Sequence, residues 1–93
     1  MASVNRYLCV LSAPSDAPPL SDEVLGAHRT YLQSLLDDGT LVAAGPVANP
    51  PEGLVIFDAE DDMAARAIGD ADPAVAQGGQ IATIRQWSVA FER

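Results

Sequence analysis

Residues 21–39, SDEVLGAHRTYLQSLLDDG, form the stretch on which the fold turns. Ser21 has a side chain suited to N-capping, and Asp22 and Glu23 put negative charge where the first turn of a helix favours it. Val24, Leu25, Tyr31, Leu32, Leu35 and Leu36 follow at spacings that build one apolar helical stripe. The helix is expected to run to about Asp38, because Gly39 can adopt the left-handed conformation that ends a helix.

Working outward, the segment before this helix reads as a strand. Asn5 to Ala13 (NRYLCVLSA) is short, apolar and partly β-branched, and a Pro-rich loop, 13–19, separates it from Ser21. After the helix, Leu41 to Ala44 gives a second strand closed by Gly45-Pro46, and Val47 to Glu52 gives a loop with two more prolines. Leu54 to Phe57 is a third strand, followed by a helix whose first turn carries Glu60, Asp61 and Asp62. Asp72-Pro73 breaks that helix, since the residue before proline is driven from helical angles, and Gly78-Gly79 opens a turn. Ile81 to Phe91 is expected to be a long fourth strand, with Ile81, Thr83, Arg85, Trp87, Val89 and Phe91 on one face.

The order β-α-β-β-α-β is the split βαβ arrangement, an α+β fold with a four-stranded antiparallel sheet and both helices on one face. A length of 93 residues leaves room for one core and no second domain, so residues 1–93 are expected to form a single domain. The uncovered sheet face is expected to pair with a second copy, Trp87 contributing, to close a barrel-like homodimer.

Thirteen carboxylates face five arginines and no lysine, for a formal charge of −8. No basic stripe exists to neutralise phosphates or anionic lipid, so neither nucleic acid nor a membrane surface is expected as a partner. No apolar run approaches the roughly 20 residues needed to span a bilayer, and the N-terminus lacks the pattern of a secretory signal. The single cysteine, Cys9, lies in an apolar run and is expected to be a buried, inert thiol. A reducing, cytoplasmic location is the expectation that follows.

His28 is the only histidine, and it shares its helix face with Val24, Leu25, Leu32 and Leu35. A hydrogen-bonded core residue and a proton-transfer group are both open readings. Asp72 is placed to cap a short helical turn at Pro73 to Gln77, and a capping carboxylate can also orient an imidazole. Gly45-Pro46 reads either as a strand exit or as a point where backbone approaches a ligand closely. No metal is expected, because there is no second histidine, no paired cysteine and no HExxH or CxxC. No cofactor is expected either, since GxGxxG and GxxxxGK patterns are missing.

Ala27-His28, Tyr31-Leu32, Gly39 with Leu41, Ala44-Gly45-Pro46, Gly53, Ala64 to Ala67 and Asp70-Ala-Asp-Pro73, taken in order, resemble the YCII family over nearly the whole chain. The resemblance implies a ferredoxin-like fold that dimerises through its sheets into an α+β barrel. It also implies a His-Asp active site, which falls on His28 and Asp72 here, with Gly45, Pro46 and Pro73 as pocket residues. One relative in that family is a dehydrochlorinase, and others are compared with muconolactone isomerases. The expected function is therefore a cofactor-free lyase or isomerase acting on a small molecule, with non-catalytic ligand binding or sensing as the alternative. A third possibility, a structural or interaction protein, would leave His28 fully packed. Ala74 departs from the family pattern, where a large apolar or aromatic residue usually follows Asp-Pro, and this bears on pocket size.

Overall fold

The computed structural model describes residues 4–93. In chain order the elements are β1 (Asn5–Ser12), α1 (Asp22–Asp37), β2 (Leu41–Val47), β3 (Glu52–Ala59), α2 (Asp62–Asp70), α3 (Pro73–Ala76) and β4 (Ile81–Gln86). The strands form one sheet in the order β2-β3-β1-β4 with every neighbouring pair antiparallel. This is the α+β, ferredoxin-like arrangement expected from the order of elements.

Alternation along the strands divides the sheet into two faces. Tyr7, Cys9 and Leu11 of β1 lie opposite Phe57, Val55 and Gly53 of β3, and Cys9 and Leu11 lie opposite Ile84 and Ala82 of β4. Most of these side chains are buried, together with Leu35 of α1, Ala65 of α2 and Ala74 of α3, in the single layer between sheet and helices. Each large apolar side chain removed from water contributes about 1.5–3 kcal/mol. Tyr7 and Phe57 stack with centroids 6.1 Å apart, and the buried Tyr7 ring keeps its polar end satisfied by donating to Asp62 Oδ1 at 2.8 Å.

The helix ends follow their sequence signals. Ser21 Oγ accepts from the Val24 N–H, Asp61 Oδ1 from that of Ala64, and Asp72 Oδ1 from that of Ala74. Gly39 takes φ +85°, a value open to glycine, as α1 ends and the chain enters β2.

The strand limits depart from expectation at both sheet edges. β4 stops at Gln86 instead of continuing to Phe91. It pairs only with β1, whose Tyr7 lies opposite Gln86, and the Trp87 N–H makes the last bond, 2.8 Å to the Arg6 carbonyl. Past that point β1 has only Asn5 left, residues 88–93 join no strand among the described residues, and Phe91 is 95% exposed. β2, conversely, continues through Gly45 and Pro46 to Val47. Pro46 lacks an N–H, but β2 is an edge strand, where a missing donor leaves no partner unsatisfied.

The uncovered face carries Leu8, Val10, Leu54 and Ile56, all half-buried, with Ile81 exposed beside them. At one end of that face Arg6 makes a paired contact with Asp58, Nε to Oδ1 at 2.9 Å and Nη2 to Oδ2 at 3.2 Å.

Two expected outcomes follow from the packing. A methyl group at Gly78 would lie 2.4 Å from Leu20 Cδ2 and 2.7 Å from the Ala74 carbonyl oxygen. The carbonyl is held by α3, so Gly78→Ala should lower the free energy of unfolding by about 1–3 kcal/mol in urea denaturation. Cys9 is 2% exposed, and burial, aided by the charge of Asp72, pushes its thiol up to about 11. Native protein should therefore leave a thiol reagent unconsumed at neutral pH, with full reaction on unfolding, and Cys9→Ala should retain the fold.

Candidate functional site

The Asp-Pro sequence at 72–73 sets the site. Proline fixes its own φ near the helical value and suits the first helical position, so the chain turns directly from the end of α2 into α3. Asp72 sits in extended geometry as the cap between them, and its side chain points inward at 4% exposure. A carboxylate so deeply buried needs donors. One is the Ala74 N–H at 2.9 Å.

The other comes from 44 residues away. His28 lies in the second turn of α1, which packs against β2 and α3. Its Nδ1 is 2.7 Å from Asp72 Oδ1 and 2.9 Å from Oδ2. An ionised carboxylate only accepts, so Nδ1 carries the hydrogen in this contact, and in the neutral form of the ring Nε2 is then the acceptor. His28 Nε2 has no protein partner, and among the described residues no buried side-chain nitrogen or oxygen is left unbonded, so this nitrogen is open to the space beside it.

That space is a cavity of about 530 Å³ between α1 and the ends of β1, β2 and β3, a volume suited to a small organic ligand. Leu11, Leu20, Leu25 and Leu32 make its walls apolar, and His28, Arg29, Glu52 and Gln80 supply its polar groups. Gly45 and Pro46 both lie on the wall, as does Ala74. Pro73 does not line the cavity, because α3 turns its neighbour Ala74 toward the cavity instead. The methyl of Ala74 leaves room that a large side chain at this position would fill. A Cβ at Gly45 would meet nothing within 4 Å, so the fold itself makes no demand for glycine there.

Tyr31, one turn beyond His28, was not legible as part of the site. Its hydroxyl donates to the Ile68 carbonyl at 2.7 Å. This second bridge ties α1 to the end of α2, just ahead of Asp72, and so restrains the separation that the His28–Asp72 contact spans. Burial pushes the Tyr31 phenol above its ordinary value, with the nearby charge of Asp72 acting in the same direction. Arg29 and Gln80 were also missed, because nothing in their sequence context marks a cavity rim. Among the described residues, no three His, Cys, Asp or Glu side chains converge as metal ligands. No helix among them is long and apolar enough to cross a membrane.

Comparison with known proteins adds the relationship. An uncharacterized protein of Bacillus subtilis (strain 168), YjpA, is 30% identical over 69 residues, covering 74% of this chain and 81% of its own. The YCII-related domain model matches residues 5–88, which takes in every helix and strand described above together with His28, Asp72 and the cavity that His28 lines, and the chain accordingly belongs to the YCII family.

Proposed function

We propose that this protein is a cofactor-free enzyme of the lyase or isomerase type, in which His28 moves a proton on a small molecule held in the cavity. The observation that supports it is the two-sided environment of one imidazole. Nδ1 is held by a buried carboxylate at 2.7 Å, and Nε2 is left open to an apolar cavity. Asp72 fixes the tautomer and ring orientation, so Nε2 is presented as a base in a fixed direction. Elimination needs a base to remove a proton as a leaving group departs. Isomerisation needs the same proton returned at another atom of the substrate, which the resulting imidazolium can do. The apolar walls would lie against the body of the substrate, and no redox or group-transfer step is required.

The uncovered sheet face supports a dimer as the working form. Leu8, Val10, Leu54, Ile56 and Ile81 leave an apolar surface that a second copy would cover, and stable interfaces bury about 1,200–2,000 Å² in total.

Two measurements test these readings. Asp72→Asn keeps an oxygen for the Ala74 N–H but removes the charge, and His28→Ala removes the base. Each should lower turnover of an elimination or isomerisation substrate by about 10²–10⁴-fold, with circular dichroism unchanged. A variant retaining full turnover would overturn the assignment, and ligands bound without any turnover would favour a binding or sensing role. In light scattering at micromolar concentration the mass should be that of two chains, and the mass of one chain would refute the dimer.

A further inference from the structure

We propose that the cavity selects small apolar carboxylates, with Arg29 as the group that binds the carboxylate. This rests on the cavity and His28 reading above and adds the class of ligand. His28 and Arg29 are successive residues of α1, and both line the same cavity. The other lining is mostly apolar, with five leucines, so the body of a ligand would be apolar and its positively charged anchor would be on α1.

Position and charge together single out Arg29. The chain has thirteen carboxylates and five arginines. Arg6 is paired with Asp58 and Glu92, and Arg66 with Asp70. Arg29, Arg85 and Arg93 are exposed and among the described residues make neither an ion pair nor a side-chain hydrogen bond, and of these three Arg29 is the one that lines the cavity. Glu52 lines the same cavity but forms no ion pair with Arg29. A guanidinium held ready at the mouth of an apolar cleft matches a carboxylate, which it can grip with two parallel hydrogen bonds.

The same charges limit the anion. A molecule of charge −8 repels anions generally, and a single arginine with Glu52 nearby offsets one negative charge better than two. A monoanionic carboxylate is favoured over a dianionic phosphate. Bound through Arg29, such a ligand would lie across the neighbouring imidazole with its apolar portion against Leu25 and Leu32.

His28 is the only histidine, so its ring Cε1–H resonance is a single assigned NMR reporter in the cavity. The test titrates benzoate, benzamide and phenyl phosphate into the protein at neutral pH while following that resonance. Benzoate should bind at least about tenfold tighter than benzamide, and phenyl phosphate should bind no tighter than benzoate. Arg29→Gln should bring the benzoate-to-benzamide ratio close to one and leave benzamide affinity unchanged. Equal binding of benzoate and benzamide to the wild type, or a preference that survives Arg29→Gln, would overturn the carboxylate assignment while leaving the cavity reading in place. Tighter binding of phenyl phosphate would replace carboxylate by phosphate. If no probe moves the His28 resonance of the folded protein, the cavity reading and this inference fall together.

Discussion

Asp72 imposes the constraint around which the site is arranged. A carboxylate taken out of water is tolerated only when its oxygens are supplied with donors, and this side chain is 4% exposed. The local chain supplies one donor, the Ala74 N–H at the start of α3. The second is the His28 ring, delivered by a helix that enters the fold much earlier in the chain. The position of α1 over α3 and the burial of Asp72 are therefore mutually dependent. Tyr31 reinforces the same seam by reaching the Ile68 carbonyl, so two hydrogen bonds one helical turn apart hold α1 against the α2–α3 corner.

The cavity is a consequence of how that seam meets the sheet. α1 covers β2 and leans on α3, while α2 covers β3 and β4. Near the ends of β1, β2 and β3 the covering residues are small or conformationally restricted: Ala44, Gly45, Pro46, Gly53 and Ala74. None of them fills the space beneath Leu25 and Leu32, and the imidazole that satisfies Asp72 with one nitrogen is left with the other facing that gap. Nδ1 of His28 thus serves the fold, while Nε2 makes no hydrogen bond to protein among the described residues.

Element types were legible wherever the signal was local. The Ser21 cap, the helical stripe of α1, the Gly39 terminus and the Asp72-Pro73 start of α3 all depend on side chains within a few residues of the backbone they act on, and the structure has them where the sequence puts them. Strand ends were less legible because a strand ends where its partner does. The alternation from Ile81 to Phe91 persists in the sequence, but pairing with β1 ends at the Trp87–Arg6 bond, one residue short of the start of β1, and nothing within residues 87–91 records that. Pro46 was similarly ambiguous. Proline ends a central strand but is tolerated on an edge, and edge position is a property of the whole sheet.

The sequence by itself determined the order of elements, the helix caps, the family resemblance and the residue types available for chemistry, since these rest on short-range backbone preferences and on the identities of residues such as His28 and Asp72. Tertiary structure alone decided that His28 Nδ1 lies 2.7 Å from Asp72, that Ala74 instead of Pro73 lines the cavity, that Tyr31 latches the same seam, and that Arg29 stands unpaired at its rim. Those are relations between side chains carried by different elements, and their distances are set by how α1, α3 and the sheet pack together, a quantity to which every layer of the core contributes.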